Sequence, residues 1–166
     1  MIQIIDECIQ TAQQNEIKNY FFKNLPWYYK EDVTLGNGVE NGRPALDHWF
    51  YEKGENVSNI KLDLINNIVR PFNKTIHNCK SILQLPLNNL SDPDISDIPH
   101  VDMDEKHLVI IYYVCTSDGN TIIKTKDSPV CVKPKQGRIV IFDGKYEHTA
   151  EQPRKNKRCI INYNLI

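Results

Sequence analysis

The sequence has no apolar run long enough to cross a bilayer as a helix, because its most apolar stretch, residues 108–115, falls far short of the ~20 residues required. The opening segment, MIQIIDECIQTAQQNE, carries acids where a signal peptide carries basic residues, so no leader is expected and the expected location is the cytoplasm, without a membrane partner. Close-spaced cysteine pairs are also missing. The five cysteines (Cys8, Cys79, Cys115, Cys131 and Cys159) are odd in number and scattered, which fits small buried hydrophobes in a reducing compartment rather than a disulfide framework or a zinc ribbon. An excess of one charge is absent too. Twenty basic residues face 21 acidic ones, for a net charge of -1, so bulk electrostatics call for neither nucleic acid nor an anionic membrane. A local nucleic-acid groove is compatible with this charge balance. Repeats and low-complexity linkers are missing as well, and 166 residues with 40% apolar composition suit one domain, 1–166, with a single well-buried core.

What is present falls into two halves. Residues 3–24 place Ile5, Ile9, Ala12, Ile17, Tyr20 and Phe21 near helical spacing. Pro26, Gly36, Gly38, Gly42 and Pro44 then break up a stretch of turns and short strands. A second helix is expected from a cap at Ser58, with Ile60, Leu64, Ile65, Ile68 and Val69 on one face until Pro71. Residues 1–80 are therefore read as mainly helical support and loops. From 81 the texture changes: SILQLPLNN, HLVIIYYVC, NTIIKT, SPVCVKP, GRIVIFDG and RCIINYNLI are short β-branched and aromatic runs between turn signals. Such strands predict an antiparallel sandwich or barrel, and with the helices an α+β fold.

At the threshold of the most apolar run stands His100-Val101-Asp102. In an extended chain residues two apart share a face, so an imidazole and a carboxylate can aim at one point. His148, after the apolar strand ending in FDG, is the leading third ligand. Two histidines and a carboxylate form the facial set for non-haem Fe(II), although a zinc ion with one bound water could use the same groups. Pro153 and Asn156 mark a turn, and a hairpin centred there would set Arg158 opposite His148 on the inner face. An inward guanidinium requires an anion, whereas Arg154, Lys155 and Lys157 read as a solvated basic turn.

His100-Val101-Asp102, His148 and Arg158 together resemble the pattern of the Fe(II)- and 2-oxoglutarate-dependent dioxygenases. HLVIIYYV followed by SDGNT, and VKPKQGRIVIFDGKYEH, are similar to the prolyl-hydroxylase-like branch, including small members encoded by bacterial viruses. The resemblance covers about residues 80–166. It implies a double-stranded β-helix (jelly-roll, cupin-like) core with N-terminal supporting helices, and Fe(II), 2-oxoglutarate and O2 as cofactor and cosubstrates, with ascorbate as an auxiliary reductant. His100, Asp102 and His148 would bind iron; Arg158 and Tyr113 would hold the distal carboxylate of 2-oxoglutarate; Thr121 is a further candidate in that pocket. No catalytic residue beyond the metal ligands is implied. The expected reaction is hydroxylation of a C–H bond with release of succinate and CO2, on a peptidyl, prolyl-type substrate. The alternatives are the same chemistry on a nucleobase or small metabolite, or a non-catalytic metal-binding barrel. For a viral protein the location would be the host cytoplasm, and monomer and homodimer are both compatible with the sequence.

The chain departs from the branch at two places. Ile160 stands where a small residue often follows the arginine, and Asn164 where prolyl hydroxylases often carry tryptophan. Asn162 and Asn164 would share the face of Arg158 and line the pocket. The polar segment 88–100 is expected to cover its mouth. Asp92, Asp94 and Asp97 there lack the glycine and terminal glutamate of an EF-hand, so calcium is not expected. PWYY (26–29) and HWFYEK (48–53) are read mainly as packing groups, with a substrate groove or base stacking as the alternative. His48, His77 and His107 have no partner at ligand spacing and are left structural or exposed.

Overall fold

The computed structural model describes residues 1–31, 43–60, 62–87 and 96–166. Within these residues no helix is long and apolar enough to cross a membrane. The chain opens with a short strand, β1 (Ile2–Ile5), followed by helix α1 (Thr11–Lys23). Strands β2 (Tyr28–Lys30), β3 (Ala45–Glu52) and β4 (Glu55–Asn56) precede helix α2 (Asp63–Val69) and a 3-10 turn at Arg70–Phe72. Seven strands complete it: β5 (Ile76–Gln84), β6 (Leu108–Tyr113), β7 (Thr121–Ile123), β8 (Val130–Val132), β9 (Ile139–Asp143), β10 (His148–Ala150) and β11 (Arg158–Leu165).

These strands form two antiparallel sheets. The larger runs β1-β9-β6-β11-β5-β3-β2, with β4 beside β3; the smaller runs β10-β7-β8. Two isolated bridges, Ser96 with Glu151 and His100 with His148, add the segment 96–100 to the outer edge of β10. The architecture is the jelly-roll expected, with helices on one side.

The long apolar runs have a simple cause: the large sheet is buried on both faces. Ile110, Tyr112, Ile139, Ile141, Ile161, Tyr163 and Leu165 pack with Ile17, Phe21, Ile65, Ile68 and Val69 of the helices. The alternate residues Val109, Ile111, Tyr113, Val140, Phe142 and Ile160 meet Ile123 and Val132 of the small sheet. Each fully buried side chain of this size contributes about 1.5–3 kcal/mol relative to exposure.

The N-terminal half differs from its sequence reading. Ile2–Ile5 is not helical but pairs with β9, from Ile2 opposite Phe142 to Ile5 opposite Ile139. Glu7, at φ 53, breaks the chain between that strand and α1. HWFYE belongs to an eight-residue strand in the large sheet, longer than the short strands expected there. Ser58 does not cap a helix. Its hydroxyl donates to His48 Nε2 (2.9 Å), because His48 Nδ1 already donates to the Pro26 carbonyl (2.7 Å), and α2 starts only at Asp63.

Candidate functional site

The two bridges through 96–100 do the positioning. His100 and His148 face each other across reciprocal backbone hydrogen bonds of 3.1 and 2.9 Å, which bring their rings to 4.8 Å between centroids. Asp102, two residues beyond His100, turns its Oδ1 to 3.6 Å from His100 Nε2 and 3.7 Å from His148 Nε2. The three groups can offer ligand atoms all within 4.8 Å of one another. The other atoms are already committed. His100 Nδ1 donates to the Ile98 carbonyl (3.0 Å), and His148 Nδ1 lies 3.5 Å from the Tyr146 carbonyl. Asn162 Nδ2 donates to Asp102 Oδ2 (3.0 Å). Both Nε2 atoms and Oδ1 therefore point at a common centre, each ligand oriented by a partner behind it.

The electrostatics suit a divalent ion. The Asp102 side chain is only 6% exposed, and burial alone would raise its pKa. The nearby His100 and His148 rings and the Asn162 amide outweigh burial and hold the carboxyl well below the usual range. Burial pushes His148 down, keeping that imidazole neutral and able to ligate. At His100 burial acts downward, but Asp102 and the Ile98 carbonyl carry the pKa upward. Phe142 packs edge-on against His148 at 5.1 Å and shields it.

A cleft runs from this cluster between the sheets, with about 470 Å³ of empty space, part of it open solvent. Ile82, Ile111 and Ile160 give it apolar walls, and Arg158 and Thr121 line it together with the triad. Arg158 is 2% exposed. It donates to the Gly119 carbonyl (3.0 Å), Gln84 Oε1 (3.1 Å) and Thr121 Oγ1 (2.8 Å), all neutral, and among the described residues no carboxylate pairs with it. A buried guanidinium with only neutral partners is a seat for an anion.

Several expectations need correction. Arg158 does not face His148 across a hairpin. β10 belongs to the small sheet and β11 to the large one, where Arg158 pairs with Gln84. The intervening turn is gathered instead by the Asp118 carboxylate, which accepts the backbone N–H groups of Arg154, Lys155 and Asn156. Tyr113 is fully buried and does not line the cleft; its hydroxyl donates to Thr121 Oγ1 (2.8 Å), and Thr121 forms the wall. Asn162 lines the cleft, whereas Asn164 shares its face without reaching it. Of the segment 88–100, residues 88–95, including Asp92 and Asp94, lie outside the described residues. Asp97 is no calcium ligand candidate: it pairs with Arg43 (Nε to Oδ1, 2.8 Å) and accepts from Gln84 Nε2 (3.3 Å). Tyr112 packs in the helix-side core as expected. His48 and His107 are buried away from the cluster.

Sequence reasoning missed Gln84, Asp97, Arg43 and Lys80. Gln84 and Lys80 carry an available signal, since both sit at period two with Ile82 on a strand whose inner face had to be lined.

No family model matches the chain, and no curated protein matches it by sequence. Solved structures do match in shape. An oxidoreductase of the 2OG-Fe(II) oxygenase family from Burkholderia pseudomallei superposes with a TM-score of 0.75 at 14% identity, over 99% of this chain and 84% of that one. The fold is that of the 2OG-Fe(II) oxygenases. A prolyl hydroxylase of this fold from Trichoplax adhaerens, solved with a hypoxia inducible factor oxygen degradation domain peptide, gives a TM-score of 0.68 at 12% identity, over 99% and 83%. The viral collagen prolyl hydroxylase of Paramecium Bursaria Chlorella virus-1, solved with 2OG, gives 0.64 at 13% identity, over 99% and 94%. At these identities the likeness to the oxygenases is one of fold, and the chemistry rests on the residues themselves.

Proposed function

We propose that the protein is an Fe(II)- and 2-oxoglutarate-dependent dioxygenase that hydroxylates a C–H bond of its substrate. The observation that carries this reading is one cleft holding both a His-Asp-His cluster and a buried arginine without an anionic partner among the described residues. His100 Nε2, His148 Nε2 and Asp102 Oδ1 would hold the iron, and the donor set of two neutral imidazoles and one carboxylate fits that ion. Arg158 would pair with the distal carboxylate of 2-oxoglutarate, the anion its seat calls for. Thr121 Oγ1 already accepts from Tyr113 and Arg158, so its own proton is available to the same carboxylate. Tyr113 acts through Thr121, and burial, which raises its pKa, keeps the phenol protonated for that task. When bound, iron and 2-oxoglutarate supply the oxidation, in which O2 is consumed, 2-oxoglutarate yields succinate and CO2, and the substrate is hydroxylated. The protein's share is orientation, charge and the exclusion of water by Ile82, Ile111 and Ile160. A non-catalytic metal site would have no use for the arginine seat.

For the substrate, the fold likeness to a prolyl hydroxylase solved with a peptide supports a peptidyl substrate of the prolyl type. Net charge of -1 weighs against strand-wide nucleic-acid binding.

Anaerobic protein given Fe(II) and 2-oxoglutarate should develop a weak visible charge-transfer band. His100→Ala and Asp102→Ala should each abolish it. Persistence of the band in both variants would overturn the ligand assignment.

A further inference from the structure

Lys80 is a charge that the proposed chemistry does not use. It sits on β5 between Asn162 of β11 and Trp49 of β3, and lines the same cleft as the metal cluster. Its Nζ stands 5.0 Å from the Trp49 ring centroid. Among the described residues it has no ion-pair partner. Asp47, on the neighbouring strand, is taken by Trp49 Nε1 (3.2 Å) and Lys30 Nζ (4.0 Å). Asp102 Oδ2 is taken by Asn162. Lys80 is half-buried and lines the cleft with its ammonium over Trp49.

Position and charge both place it on the substrate side. Lys80 stands opposite Asn162, and Gln84 opposite Arg158, four residues along the same strands. At about 3.3 Å per residue the two backbone rows are roughly 13 Å apart along the sheet. The Asp102 carboxylate is anchored at the Asn162 row, so the metal cluster and Lys80 share one end while Arg158 holds the other. With Fe(II), Asp102, Arg158, doubly charged 2-oxoglutarate and the Asp97–Arg43 pair in place, the formal charges cancel. Lys80 is then the uncompensated cation of the cleft.

We propose that Lys80, with Trp49 beneath it, is the substrate-selecting residue of this site and requires a substrate that carries a carboxylate near the oxidised carbon. This rests on the function proposed above. A single ammonium is matched by a monoanionic carboxylate, whereas phosphate draws several donors. Asn162 completes the subsite. Its Nδ2 is fixed on Asp102, so its buried Oδ1, which has no partner among the described residues, accepts an N–H or O–H of the substrate. The carboxylate can belong to a small organic acid or to an acidic residue of a peptide.

The test uses matched probes under argon with Fe(II) and 2-oxoglutarate present: free amino acids against their amides, and a pentapeptide containing glutamate against the same peptide with glutamine. Binding is read by tryptophan fluorescence, so turnover is not needed. In one of the two arms the charged member should bind at least tenfold more tightly than its neutral partner. That preference should vanish in Lys80→Met, which keeps the apolar stem, and survive in Lys80→Arg. Equal binding within both pairs, or an unchanged preference in Lys80→Met, would overturn the proposal. So would a loss of 2-oxoglutarate affinity in Lys80→Met, which would assign the lysine to the cosubstrate. Failure of the function reading shows separately, as absence of the charge-transfer band in the wild type. In that case the fluorescence titration still decides whether Lys80 selects a carboxylate ligand.

Discussion

Arg158 shows how much of this site is decided by single side chains. Its guanidinium is held on three neutral acceptors, and one of them, Gln84, is itself held by Asp97, whose carboxylate also binds Arg43. Gln84 thus presents its oxygen to Arg158 and its amide to Asp97, and the arginine's orientation is set before any ligand arrives. Replacing Arg158 with alanine should raise the 2-oxoglutarate dissociation constant at least about tenfold, which is about 1.4 kcal/mol, and leave Fe(II) affinity near wild type. Calorimetric titration of each ligand separately checks this; equal cosubstrate affinity in the two proteins would move the clamp elsewhere. The residues legible in the sequence were those whose spacing carries chemistry: His100 and Asp102 at strand period, His148 after a strand, and an arginine too near the core to be solvated. Asp97 and Arg43 were hidden because an acid or an arginine in a polar context has no spacing that marks it, whereas Gln84 and Lys80 carried only the period-two signal they share with Ile82 on β5.

Among the elements, β1 was the least legible. Its isoleucines merge with the helical period of α1, and only pairing with β9 reveals the strand. Its outer residues Ile4 and Ile5 stay exposed, so packing alone holds it weakly. Asp6 at its end accepts from Arg138 (2.6 Å) and Lys135 (3.0 Å), and those hydrogen bonds hold its carboxyl well below the usual range. A depressed carboxyl pKa adds stability that is complete above the unfolded value of about 3.9 and fades as pH falls below it. Asp6→Asn should therefore destabilise the protein at pH 7, by under about 1 kcal/mol because the groups are largely solvated. By pH 3 the gap between wild type and variant should shrink. Urea denaturation at the two pH values reads it, and a gap as large at pH 3 as at pH 7 would contradict the Asp6 clamp. Strands β5, β6, β7, β8, β9 and β11 were legible because β-branched runs between turn signals have one reading, whereas the three-residue β10 was not among those runs. The hairpin expected at 148–158 failed because Pro153 and Asn156 announce a turn without saying which sheet the chain joins afterwards.

At the scale of the molecule, two apolar layers surround one polar cleft, and the smaller sheet closes only part of the larger one. The inner face near β9, β6 and β11 is sealed by Ile123 and Val132, while β5 and β3 carry Lys80 and Trp49 toward solvent. Fold class and the grouping of His100, Asp102 and His148 could be read from sequence because strand rhythm and side-chain spacing are local. The lining of the substrate side could not, because it is assembled from strands far apart in the chain. The most direct measurement of the central claim is succinate released from 2-oxoglutarate when the Fe(II)-loaded protein meets O2. The account predicts slow release without substrate that needs added Fe(II), stops with a chelator, and is lost in His148→Ala. Release equal in wild type and His148→Ala, or independent of Fe(II), would contradict it.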